Sequence, residues 1–137
     1  MQIASSDPYQ TVRAELAALR HQVTGVSGCV IAGVDGLLIL HDSATSSAEP
    51  NDIAALAAGA HGISRTCGAA LQQGTFSEVT IRNQGGYLAV YAVGELALLA
   101  VIGDSGLNIA RLHLEARPVT ARLSKMLTVE QSYADRL

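Results

Sequence analysis

Ser105 stands in Gly103-Asp104-Ser105-Gly106, the tetrapeptide that surrounds the nucleophile of many serine proteases. Such a serine needs a histidine, an orienting aspartate and an oxyanion hole, placed in that fold by a pair of large β-barrels. A chain of 137 residues has no room for them. The segment also falls where an apolar strand pattern hands over to a helical one. There Gly, Asp and Ser are turn residues, and Asp104 or Ser105 is expected to cap the helix. Gly25-Val26-Ser27-Gly28 misses the nucleophile-elbow spacing by one residue and precedes a strand instead of following one. His41-Asp42-Ser43 has the right residue types, but neighbours on a strand point apart and make no relay. The four histidines, His21, His41, His61 and His113, lack metal-ligand spacing with one another or with Cys29 and Cys67, and read as surface residues. Lys125 is the only lysine, so no phosphate-binding loop is present. No catalytic residue, metal site, cofactor or small-molecule substrate is expected.

The elements that would carry any site are clear from the apolar pattern. TVRAELAALRHQV (11–23) places Val12, Leu16, Leu19 and Val23 at helical spacing. CVIAGV and LLILHD follow, joined by Asp35-Gly36, which predicts a hairpin with a type I′ turn. After a small polar loop (43–52), a second helix over about 51–73 carries Ile53, Leu56, Ala60, Ile63, Cys67 and Leu71 along one stripe. Three strands come next, 76–83, 86–93 and 96–103, joined by Gln84-Gly85 and Gly94-Glu95 as an antiparallel meander. The first alternates Val79 and Ile81 with Glu78, Thr80 and Arg82, the pattern of an edge strand. A last helix over about 107–127 aligns Ile109, Leu112, Ala116, Val119, Leu123 and Leu127, with a kink or break expected at Pro118. The order α-β-β-α-β-β-β-α predicts an α+β fold, a five-stranded antiparallel sheet with helices on both faces. Residues 1–10 are expected to be a flexible leader, 11–127 the domain and 128–137 a flexible tail.

Charged residues make up 15% of the chain and hydrophobic ones 49%, against about 25% charged in an average soluble domain. Too few charges remain to cover a monomer, which favours an oligomer or a chain held against a partner. A net charge of −3 with no Lys/Arg cluster argues against nucleic acid and acidic membranes. The run LALLAVI is far short of a membrane span, and MQIASSDPYQ lacks the basic and apolar regions of a signal peptide. Cys29 and Cys67 read as small buried hydrophobes in a reducing compartment, so the chain is expected to be cytoplasmic.

One oddity stands out in the second helix, where Ala55, Gly59, Gly62 and Thr66 recur at steps of three and four. Two glycines inside a helix each cost about 1 kcal/mol relative to alanine. Close approach of another backbone would offset that cost; the other reading is that small residues are merely tolerated against the sheet.

The helix followed by VTGVSGCVIAGVDGLLIL resembles the opening of roadblock/dynein light chain domains, and GGYLAVYAVGELALLAVIGDSGLNIARLHLEARP their closing half. The likeness covers about residues 11–127 and is greatest to the bacterial, particularly actinobacterial, branch. It implies a homodimer in which the third strands pair across a two-fold axis into one ten-stranded sheet, with the second helices side by side on one face. It also implies a Ras-like small GTPase as partner, scaffolded or driven to hydrolyse GTP, in bacterial polarity and signalling systems. The dimer interface would comprise Ala55, Gly59, Gly62, Thr66, Glu78, Thr80 and Arg82. The GTPase would meet the second helix at His61, Arg65, Ala69 and Gln72, with Arg65 of the residue type of an arginine finger. A competing reading is a small-ligand sensor with a pocket over the sheet, for which Phe76, Tyr87 and Tyr91 are nearly all the strand aromatics.

If the axis passes near Thr80, antiparallel self-pairing sets Glu78 opposite Arg82 of the mate. An exposed pair of this kind contributes about 0.2–1 kcal/mol, enough to favour a register but not to hold a dimer. Arg82→Glu is therefore expected to raise the dimer dissociation constant, measured by sedimentation equilibrium; an unchanged constant would exclude that register.

Overall fold

The computed structural model describes residues 9–43 and 48–135, with side chains through 127. Most of the expected leader, part of the 43–52 loop, residues 136–137 and the side chains of the expected tail lie outside the described residues. The elements run α1 Gln10–Gln22, β1 Val26–Gly33, β2 Leu38–Ser43, α2 Pro50–Ala70, β3 Glu78–Asn83, β4 Gly86–Val93, β5 Ala97–Asp104 and α3 Ile109–Asp135. The five strands form one antiparallel sheet in the order β2-β1-β5-β4-β3, which leaves β3 as an edge as expected.

Strand alternation divides the core in two. Cys29 and Ile31 of β1, with Leu99 and Val101 of β5, face α1 and α3, where Leu16, Leu19, Leu112, Ala116 and Leu123 close the larger cluster. Their neighbours Val30, Ala32, Leu98 and Ala100 face α2, which meets them with Ile53, Ala54 and Ala57. The central strands β1 and β5 are thus apolar on both sides, the condition for a strand covered on both faces.

Three local features depart from the expectations. The β1–β2 connection is wider than a type I′ turn, because only Gly36 takes a positive φ, +90°. Gly36 N donates to Gly33 O, Gly33 N donates to Leu37 O, and Asp35 Oδ1 accepts from Leu37 N. The Asp35 side chain thus ties down the following amide from an ordinary backbone conformation, and the β1–β2 register slips between Ile31 and Ala32 to absorb the extra length. In α3 the cap is Asn108, whose Oδ1 accepts from Arg111 N, while Asp104 Oδ1 accepts from Gly106 N inside the preceding turn. Neither Asp104 nor Ser105 caps the helix. Pro118 does not break α3, which continues through Asp135, past the end expected near 127. Pro118 lies on the exposed side of the helix, and no glycine or further proline follows before 135.

The end of α2 is tightly folded back. Gln73 N donates to Gly68 O and Gln72 N to Ala69 O, closing the helix with Gln72 at φ +57°, where glycine is the usual residue. A Cβ on Gly68 would stand 2.8 Å from Gly74 O, so the return of the chain over the helix needs that glycine. Gln72→Gly is expected to stabilise the protein by about 0.5–1 kcal/mol, since it removes a left-handed side chain. The corresponding rise in melting temperature, about 2–4 °C by calorimetry, checks it.

Candidate functional site

Helix α2 begins at Pro50 after Glu49, whose carboxylate accepts from the Asn51 backbone amide and side chain. Those bonds, the backbone one first, hold the Glu49 carboxyl below the usual carboxylate range. The helix then packs against the sheet through small residues, Ala54 and Ala57 beside Ile53. The apolar stripe along the helix is therefore largely turned outward: Leu56 is 62% exposed and Ile63 71%, with Leu71 and Cys67 exposed as well. The physical reason is volume. The alanine contact leaves no room on the sheet side for the larger chains, so the apolar stripe is rotated onto a flank of the helix.

Gly59 and Gly62 are exposed, and a Cβ at either position would meet nothing within 4 Å. Tolerance against the sheet is thus not their explanation. Thr66 Oγ1 donates back to Gly62 O at 3.0 Å and Ser64 Oγ to Ala60 O at 2.8 Å, so these hydroxyls are satisfied by their own helix. The outward surface carries leucine, isoleucine, glycine and little unmet hydrogen-bonding demand. Of the other residues expected to meet a partner, Arg65, Ala69 and Gln72 are exposed. His61 is half-buried, its ring edge-to-face with Phe76 at 5.0 Å, and it fastens α2 to the segment entering β3.

The edge strand β3 carries a polar cluster that the spacing did not reveal. Glu78 Oε1 accepts from Arg117 Nη2 at 2.7 Å and Nε at 3.3 Å, while Oε2 is buried without a hydrogen-bond donor, 3.4 Å from His113 Nδ1. The same Nδ1 lies 2.7 Å from the Tyr91 hydroxyl, and Nε2 lies 3.4 Å from Thr80 Oγ1. His113 is thus a half-buried link between α3 and the β3–β4 pair, not a surface residue. Its signal was the polar pair His113 and Arg117, four residues apart, bordering the buried Leu112–Ala116 stripe. Arg82 lies over the Tyr87 ring, 5.8 Å from its centroid. Both members of the expected inter-protomer pair accordingly have neighbours in their own chain.

None of these groups is set up as a nucleophile. Burial, and then the Glu78 charge, push the Tyr91 hydroxyl well above its ordinary range, and Arg117 already neutralises Glu78. Ser105 is exposed at the tip of its turn, and the one histidine of α3 is engaged by Tyr91 and Thr80. Asp42, beside His41, is held at 2.6 Å by Arg20 of α1. Among the described residues no group of three or more His, Cys, Asp or Glu is placed to hold a metal ion. No described helix is long and apolar enough to cross a membrane.

Residues 13–103 match the sequence profile of the Roadblock/LC7 domain. No curated protein matches the sequence. Among solved structures, a Roadblock/LC7 domain from Streptomyces avermitilis superposes with a TM-score of 0.78 at 21% identity, covering 85% of this chain and 97% of that one. Myxococcus xanthus MglB gives 0.80 at 17% identity, with 88% and 98% covered. An MglB structure with a tetrameric arrangement gives 0.81 at 17% identity, with 90% and 93% covered. At such identities the likeness establishes a shared fold.

The two cysteines differ in a way that can be read directly. Cys67 is exposed, contrary to expectation, while burial pushes the Cys29 thiol up to about 12. At pH 8 a thiol reagent is expected to leave Cys29 unmodified until denaturant is added, checked by counting thiols per chain before and after unfolding.

Proposed function

Because this chain belongs to the Roadblock/LC7 domain family, we propose that it is a non-catalytic regulator or scaffold that homodimerises and binds a Ras-like small GTPase. The observation that carries this reading is the outward face of α2, where Leu56 and Ile63 flank two open glycines with nothing among the described residues to cover them. Burying such a stripe against its own copy removes apolar surface from water and lets two backbones approach at Gly59 and Gly62.

The second support is the edge of β3, which pairs with no strand but β4 among the described residues. Its backbone groups are free to pair with the same strand of another copy, which extends the five strands to ten and leaves the two α2 helices on one side. Ala55, Gly59, Gly62 and Thr66 then line the helix contact, and Glu78, Thr80 and Arg82 the strand contact. The exposed residues toward the end of α2, Arg65, Ala69 and Gln72, with His61 at their margin, form the surface offered to the GTPase. Arg65 decides between the two forms of the function. An arginine reaching the nucleotide accelerates GTP hydrolysis by about 10³–10⁵-fold, whereas a scaffold leaves the rate unchanged.

The experiment is affinity capture from the native cytosol with and without a non-hydrolysable GTP analogue, read by mass spectrometry. A small GTPase retained in a nucleotide-dependent manner is the expected result, and recovery of the protein alone would remove the GTPase assignment. Ile63→Glu places a charge in the helix contact and is expected to shift the protein to monomer in sedimentation equilibrium, with the fold intact by circular dichroism because the side chain is exposed. A dimer unaffected by Ile63→Glu would exclude this face.

A further inference from the structure

The fold gathers cations that the sequence holds at opposite ends. Helices α1 and α3 pack against the same side of the sheet, and α2 lies on the other. Over residues 10–22 and 109–127 the two helices carry six of the nine Lys and Arg residues and two of the twelve Asp and Glu, a balance of +4. The remainder of a chain whose total is −3 therefore carries −7. Asp42 and Glu78 reach this side from the sheet and pair with Arg20 and Arg117, so the face keeps a surplus of two positive charges.

The build of the ion pairs turns that surplus outward. Arg111, Arg117 and Arg122 are 54%, 60% and 51% exposed, whereas their partners Glu115, Glu78 and Glu15 are 33%, 23% and 20% exposed. In each pair the carboxylate lies deeper and the guanidinium stands toward solvent. A guanidinium has five N–H donors, and Arg122 uses only Nε and Nη2 on the two oxygens of Glu15, at 3.0 Å each. Donors therefore remain for an incoming carboxylate. Beside these cations the surface is low and apolar, with Leu114, Pro118 and Ala121 exposed on α3 and Ala14 and Ala18 exposed on α1.

We infer that the outer face of α1 and α3 docks an acidic amphipathic helix of a partner protein, its carboxylates meeting Arg111, Arg117 and Arg122 and its apolar side chains resting on Leu114 and Ala121. Bidentate guanidinium–carboxylate pairing gives the contact its direction, and the small residues let a third helix lie close. An anionic lipid surface is the poorer match. Such a surface takes up large apolar side chains, and among the described residues this face exposes only Leu114 of that kind. The sheet stands between this face and α2, so the inference holds or fails independently of the homodimer and GTPase readings.

The probe is a synthetic helix of about eighteen residues, with leucines along one face and glutamates bordering it, titrated into the whole protein while backbone amide shifts are read by NMR. Binding is expected to perturb α1 and α3 alone and to weaken as salt rises. It is expected to fall at least about tenfold in the combined variant Arg111→Gln, Arg117→Gln and Arg122→Gln. Lys125→Glu, exposed and outside those ion pairs, is expected to weaken binding without altering the melting temperature, which keeps the test decisive if the combined variant is unstable. Vesicles of phosphatidylglycerol and phosphatidylcholine, and a short single-stranded DNA, are titrated in parallel. The inference is overturned by any of four results: no peptide binding, shifts on α2 or β3 instead, an affinity unchanged in both variants, or tighter association with the vesicles or the DNA.

Discussion

The contact between α2 and the sheet sets most of what this molecule presents to its surroundings. Ala54 and Ala57 are fully buried there, and their small volume brings the helix close to Val30, Leu98 and Ala100. With almost no aromatic residues available, one Phe and no Trp, the chain fills this layer with methyl groups and obtains a thin, tight interface. A thin interface has a geometric consequence. The branched residues of the same helix cannot share it, so Leu56 and Ile63 are displaced to the flank, and the surface beyond them is cut down to glycine. A sheet-facing leucine in place of Ala57 would lift the helix and change everything outside it.

Most of the architecture was legible because its signals are local. Helical spacing of Val12, Leu16 and Leu19, the meander turns and the alternation along β3 each report a single element, and all were found with the expected order. The rotation of α2 was not legible, since Ile53, Leu56, Ala60 and Ile63 form as good a helical stripe as Ile53, Ala54 and Ala57. Deciding between them requires the depth of the opposing sheet, which is a property of residues elsewhere in the chain. The cluster around His113 was hidden for the same reason. Glu78 and Tyr91 become partners only through the β3–β4 register, and they meet His113 and Arg117 only when α3 crosses them. Cys67 was misplaced because its neighbours are apolar in sequence but stand in solvent.

That cluster has a structural meaning apart from any partner. Strand β3 has one neighbouring strand, and the cross-sheet attachment of its α3 side passes through Glu78, Thr80, His113 and Arg117. An edge strand held by polar side chains on one face and by Val79 and Phe76 on the other is anchored without being covered. Its backbone remains available while its position is fixed. Fixing an edge in advance lowers the ordering cost of pairing with it.

The strand order carries a last consequence, for how the molecule comes to exist. The adjacent strands β1 and β5 belong to opposite ends of the chain, with Cys29 set against Val101 and Ile31 against Leu99. No contiguous half of the sequence holds a complete core. An emerging chain has the β1–β2 hairpin early but must wait for β5 to close β1 on its other side, and the loop to be closed spans most of the domain. Closure of the sheet therefore waits for β5, and a chain shortened before β5 would leave β1 without its second neighbour.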